Sequence, residues 1–259
     1  MPGLMPGIDV FGGKKGVDDR DKPGHDGGRL PRMRVLAIDT ALEACSAAVF
    51  DTDAGVLARE SKSMTRGHAE ALMPLLWRVM EHAALDFAAL DRIAVTVGPG
   101  SFTGLRVGIA AARGIALAAG KPAVGITTLS AFAAPLFAAD DSLPVVVAID
   151  ARHGHVYLQV YGPGGRSLVS QRLAPLRDLL RVCGASGAPR LVGTAAALVA
   201  SEWPARERPP LSVDQREAPD IDWIAQLGAA APEPTEQPKP LYLRAPDAQR
   251  QHGAQIARR

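Results

Sequence analysis

Two carboxylates end apolar runs of the same kind. Val35-Leu36-Ala37-Ile38 runs into Asp39, and Val145-Val146-Val147-Ala148-Ile149 runs into Asp150. In a duplicated α/β nucleotide fold, carboxylates at such strand ends coordinate Mg²⁺ or position water. The alternative is a local backbone cap at Asp39. The first Asp is followed by Thr40-Ala41-Leu42-Glu43-Ala44, which offers no glycine for phosphates to approach. His68 opens a helical pattern, but a helical metal pair would need a second ligand four residues on, where Leu72 stands. His153 and His155 flank Gly154 with no third ligand in sight. Ser101 follows Gly98-Pro99-Gly100, which is not the Gly-x-Ser-x-Gly elbow of a nucleophilic serine. No metal site and no catalytic residue is assigned.

The turn at Ser101 is the sharpest local signal. Ile93-Ala94-Val95-Thr96-Val97 is an apolar β-type run, and an apolar helix pattern leaves the turn from Thr103 to Ala119. Gly98, Gly100 and Ser101 between them are candidate phosphate contacts, because free N–H groups at a helix start attract anions. The phosphate-loop pattern Gly-x4-Gly-Lys-Ser/Thr is absent. The dinucleotide pattern Gly-x-Gly-x-x-Gly is missed by one residue, since the third glycine is Gly104. The other reading is a tight turn that aims the helix.

That helix is apolar nearly all round, so it is either deep core of one chain or covered on its outer side by another chain. Gly104, Gly108 and Ala111 share a side-chain-poor face, while Arg106 and Arg113 mark a polar stripe. Interior glycines cost about 1 kcal/mol each against alanine, so close approach of another element must offset them. A helix pattern over 67–84 places Leu72, Leu76, Val79 and Ala83 on one face and Met73, Trp77, Met80 and Ala84 on a second. Pro74 should bend this helix or mark a late start. Met and Trp on a surplus apolar face suit an interface. Met73, Trp77, Met80, Gly104, Gly108 and Ala111 are therefore the expected partner-contacting set.

The chain's 259 residues suit one large or two small domains, and its net charge of +2 gives no global push towards nucleic acid or membrane. Cys45 and Cys183 are far apart and form no ligand pattern, which suits a reducing compartment. No uncharged apolar run reaches the length of a membrane span; the nearest, Val107 to Ala119, holds Arg113.

Element order suggests a duplication. Strand, turn, strand, strand, helix, strand and helix occur once from Met33 and again from Pro144. The second copy includes strands at 155–161 and 166–173, a helix at 175–183, a strand at 190–193 and a helix at 194–201. Residues 203–219 read as surface loop and 221–230 as a helix. The expected division is an extension over 1–32, either disordered or preceding a biological start at Met33, a partner-binding lobe over 33–130, a second lobe over 131–230, and a Pro-rich linker, short anchor and polar tail over 231–259.

These residues resemble a known family. Val35-Leu36-Ala37-Ile38-Asp39-Thr40, then Gly67-His68-Ala69-Glu70 with Leu72 and Pro74, then Val97 through Gly108, are similar to the TsaB (YeaZ-type) proteins of tRNA threonylcarbamoyladenosine biosynthesis. Gly120-Lys121-Pro122, Gly125-Ile126-Thr127-Thr128-Leu129 and Pro240-Leu241-Tyr242-Leu243-Arg244 fit as well. The likeness covers about residues 33 to 245. It implies an α/β chain with a duplicated actin-like/Hsp70-like (ASKHA) fold, two lobes each with a mixed β-sheet flanked by helices. It implies a cytoplasmic, non-catalytic subunit that supports the TsaD transferase acting on tRNAs that read ANN codons. TsaD would be the partner through the two N-lobe helices, with TsaE joining the pair, TsaC supplying the threonylcarbamoyl-adenylate, tRNA met indirectly, and a homodimer forming when TsaD is absent. No cofactor is implied, except that nucleotide could lodge at a complex interface. The rival class is an ATP-dependent kinase or metallopeptidase of the same fold.

Overall fold

The structure is a computed structural model that describes residues 32–179 and 187–244. The first sheet holds β1 (Arg34–Asp39), β2 (Ala44–Asp51), β3 (Gly55–Ser63), β4 (Arg92–Gly98) and β5 (Ala123–Thr127), in the order β3-β2-β1-β4-β5. The second holds β6 (Val145–Asp150), β7 (His155–Tyr161), β8 (Ser167–Pro175), β9 (Arg190–Gly193) and β10 (Ser212–Gln215), in the order β10-β9-β6-β7-β8. Read from the opposite edge, the second order repeats the first. Both sheets pair their first three strands antiparallel, and both add two parallel strands on the other side. The duplication expected from element order is present, and β10 completes it. That strand lies where the sequence reads as surface loop.

Among the described residues, helices flanking the sheets include α1 (His68–His82), α2 (Phe102–Ala119), α3 (Thr128–Ala139), α4 (Ala196–Ser201) and α5 (Ile221–Ala230). Helices α1 and α2 lie side by side on the first sheet, where Leu72, Leu75, Leu76, Val79, Leu105 and Ile109 share one core with Leu36, Ile38 and Val95. Helix α1 is unbroken across Pro74, so the helix does not start late there; Pro74 is exposed, and the Glu70 carbonyl that loses its partner is on the solvent side. Helix α3 is shared. Its Ala131 and Ala134 join Val35 and Ala94 of the first sheet, while Leu129, Phe132 and Phe137 join Val145, Val147 and Ile149 of the second.

The expected boundary at 130/131 needs one correction. Helix α5 belongs to the first lobe, because Ile224, Ala225 and Leu227 pack on Val35, Ala37 and Ala94. Leu241 likewise enters the first lobe's core. The expected extension over 1–32, apart from Arg32, lies outside the described residues, as do most of the helix expected at 175–183 and the polar tail beyond Arg244. Residues 176–179 are helical. Among the described residues, α2 alone is long and apolar enough to cross a membrane by length and composition, and it packs against β4, β1 and β5.

Candidate partner interface

The turn before α2 is held from three sides. Gly98 has φ of 115° and is joined to Pro99 by a cis peptide bond. Ser101 caps α2, its hydroxyl accepting from the Gly104 N–H at 3.3 Å. The Ser101 N–H is itself spent on the Ala41 carbonyl at 2.7 Å. A Cβ on Gly100 would strike that same carbonyl, and one on Gly98 would lie 3.0 Å from the Leu241 carbonyl oxygen. The glycines of this turn therefore admit the chain's own backbone. The approach that a phosphate would need at Gly98, Gly100 and Ser101 is filled by Ala41 and Leu241, so the residues do not fit that ligand.

The same turn explains the first half of α2. Thr40 donates its hydroxyl to the Gly104 carbonyl at 2.7 Å. A Cβ on Gly104 would run into the Thr40 carbonyl oxygen, and one on Gly108 into the Thr40 hydroxyl. Gly104 and Gly108 are buried, and they face Thr40 within the chain. Met80 is buried too, at 3% exposure, in the core below α1. These three members of the expected interface set are corrected: helical periodicity groups them rightly, but their faces point inward. Ala111 is half-buried and packs at the margin of that core.

What α1 and α2 turn outward is different. Met73 is 53% exposed, Trp77 66% and Leu117 85%. Ala110, Gly114 and Ala118, spaced four apart on α2, are exposed, and a Cβ on Gly114 would meet nothing. A recess of about 200 Å³ beside Trp77 is lined by Met80, Glu81, Leu85, Asp86 and Phe87. Trp77, Leu117 and the small-residue stripe therefore form an apolar face on two adjacent helices. The expected partner-contacting set leaves out this 110–114–118 stripe, although the i, i+4, i+8 spacing was there to read.

Behind this face lies Asp39, fully buried. Its Oδ1 accepts from the Thr96 hydroxyl at 2.6 Å and the Ala41 N–H at 3.0 Å, while its Oδ2 has no hydrogen-bond partner. Burial raises its pKa above the ordinary carboxylate value, against the pull of those two bonds and of His68. His68 meets the Leu42 carbonyl through Nε2 at 3.1 Å. Buried Cys45 is pushed up to about 11, mainly by burial. Asp150, the counterpart carboxylate, is exposed and accepts the Arg152 N–H at 2.7 Å. His153 and Gly154 form the centre of the β6–β7 turn, and the His155 Nδ1 meets the His153 carbonyl at 2.9 Å. Among the described residues, no three His, Cys, Asp or Glu side chains converge as a metal cluster would require.

The family model described as "TsaD: tRNA N6-adenosine threonylcarbamoyltransferase" matches residues 55–189. The tRNA threonylcarbamoyladenosine biosynthesis protein TsaB of Escherichia coli is 37% identical over 129 residues, 50% of this chain and 55% of that protein. The chain belongs to the TsaD family and is of the TsaB (YeaZ) type. A tRNA N6-adenosine threonylcarbamoyltransferase of Erythrobacter litoralis is 36% identical over 130 residues, 44% of this chain but only 38% of its own length. YeaZ from Pseudomonas aeruginosa superposes with a TM-score of 0.68 at 28% identity, covering 82% of this chain and 100% of that one. The chain spans about half the length of the curated relatives it matches in sequence. Its two mixed sheets flanked by helices are the doubled α/β arrangement expected of the TsaB type, and YeaZ superposes on it over its whole length.

Proposed function

We propose that the chain is a non-catalytic subunit of the tRNA threonylcarbamoyladenosine machinery that docks a TsaD-type transferase through the outer face of α1 and α2. The observation that carries this reading is Gly114. It lies in the middle of an 18-residue helix, is exposed, and has open space where a side chain would stand. A glycine there costs about 1 kcal/mol of helix stability against alanine, and no contact within the chain requires it. Close approach of a second helix does. Exposed Met73, Trp77 and Leu117 flank that seam as apolar anchors.

The partner of best fit carries a like pair of helices, whose backbones could approach the Ala110, Gly114 and Ala118 seam closely. That is the transferase, or a second copy of this chain when the transferase is absent. TsaE joins the assembled pair, and the complex works on tRNA in the cytoplasm. The chain itself holds no cofactor; nucleotide, if present, belongs to the assembled interface. The test is reconstitution. Threonylcarbamoyl transfer to tRNA is measured with the organism's transferase in the presence and absence of this chain. Transfer should require both. Transfer or ATP turnover by this chain alone would overturn the reading.

A further inference from the structure

The seam between the two lobes carries a second surface, at the far end of α2 from Leu117. Residues 240–244 cross it. The Leu241 N–H donates to the Val97 carbonyl at 2.7 Å in the first lobe, and Arg244 donates through Nη1 to the Ala151 carbonyl at 3.0 Å in the second. Between these anchors, Tyr242 lies 5.6 Å from Phe102, ring centre to ring centre. Arg106 sits 3.7 Å over the Phe102 ring and donates through Nε to the Tyr242 hydroxyl at 3.1 Å. Phe102 is 46% exposed and Tyr242 43%. Arg152, next to Ala151, is exposed, and its guanidinium has no partner among the described residues.

The two open aromatic rings and the Arg106 guanidinium thus touch one another on the first-lobe side of the seam, while Arg244 is anchored to Ala151, the neighbour of Arg152, on the other. None of the three arginines forms an ion pair among the described residues. Arg106 and Arg244 each spend one donor within the chain and keep the others. The acid of the same hairpin, Asp150, is exposed and accepts the Arg152 backbone N–H through Oδ1 alone.

We infer that this strip, Phe102, Arg106, Tyr242, Arg244 and Arg152, binds single-stranded RNA. Cations spaced along a groove neutralise phosphates, and exposed rings and guanidinium planes stack unpaired bases whatever their sequence. The choice of RNA among polyanions rests on the proposed role in tRNA modification. The strip lies at the start of α2, whereas the docking face runs through Gly114 and Leu117, so both can be occupied together.

The test uses the full chain without the transferase and a fluorescein-labelled single-stranded RNA, read by anisotropy at about 50 and 200 mM salt. Measurable binding is expected at the lower salt, with a steep loss at the higher. Arg152→Gln should bind more weakly, and the slope of log K against log salt should shrink by about 0.7. Tyr242→Ala should weaken binding by about 5-fold or more at both salts, whereas Tyr242→Phe, which keeps the ring, should bind like the parent. Absence of binding at low salt overturns the inference, as do Arg152→Gln and Tyr242→Ala variants that bind like the parent. Because no transferase is present, failure here leaves docking intact, and failure of docking leaves this assay readable.

Discussion

The two lobes are copies that have kept their frame and diverged at their ends. Each fourth strand begins with a buried arginine that clasps the end of a helix. Arg92 donates to the Gly228 carbonyl at 3.0 Å and also to that of Ala231, at the end of α5. Arg190 donates to the Leu136 carbonyl at 2.7 Å and the Asp140 carbonyl at 2.6 Å, at the end of α3. Each of these strands ends in a glycine of nearly the same backbone angle, φ 115° at Gly98 and 118° at Gly193. Beyond that point they part. The first lobe launches an 18-residue helix with an outward apolar face, and the second a helix of 6 residues. The first lobe's Asp39 is sealed under Ala41, while Asp150 stands in the open. A shared frame thus carries a long helix with an outward apolar face in the first lobe and, among the described residues, a short helix at the same place in the second.

The difference is concentrated within α2, where glycines ten residues apart do opposite things. Gly104→Ala should be the most damaging change considered, because its Cβ would meet backbone that cannot step aside. A loss of about 3 kcal/mol or more in chemical denaturation is expected. If Gly104→Ala is tolerated, the first half of α2 is not clamped to Thr40.

Arg92→Ala and Arg190→Ala test the shared frame. Each should cost about 2–3 kcal/mol by orphaning buried carbonyls, and the two losses should be similar. A large loss in one lobe and none in the other would show that the equivalence is one of shape alone.

Asp39→Asn tests the divergence at the strand ends through its pH dependence. Asp39 titrates above the ordinary carboxylate value in the folded chain. Its contribution to stability is therefore full below the unfolded value of about 4 and is lost as pH rises through the raised folded value. Asparagine mimics the protonated acid at every pH. The parent should match the variant at low pH and fall behind it as pH rises. A parent that gains on Asp39→Asn with rising pH would mean that the buried group is a stabilised carboxylate.

Much of this was legible in the residues. The paired Ile38-Asp39 and Ile149-Asp150 endings gave the repeat, because a buried parallel strand reads as a continuous apolar run. β10 was not legible. Ser212-Val213-Asp214-Gln215 is short and polar, and only its pairing with β9 makes it a strand. Helix α5 stands in the second half of the chain, yet a crossover returns it to the first sheet, which local pattern does not record. The outward faces of α1 and α2 were half legible. Periodicity told which residues of α2 share a face but not which face looks inward, and the clamp from Thr40 is a long-range contact. Met73 and Trp77 came out as expected surface residues, while Met80, one turn on, fell into the core.

The smallest predicted effect is on the isolated chain. Gly114→Ala should raise its stability by about 1 kcal/mol, the opposite sign to Gly104→Ala, since no atom stands in the way.

The most direct measurement is co-purification of the TsaD-type transferase with Gly114→Leu. The larger side chain projects into open space in the free protein, so the variant should melt at or above the parent's temperature and yet fail to retain the transferase. A folded Gly114→Leu protein that holds the transferase as the parent does would contradict docking through this face.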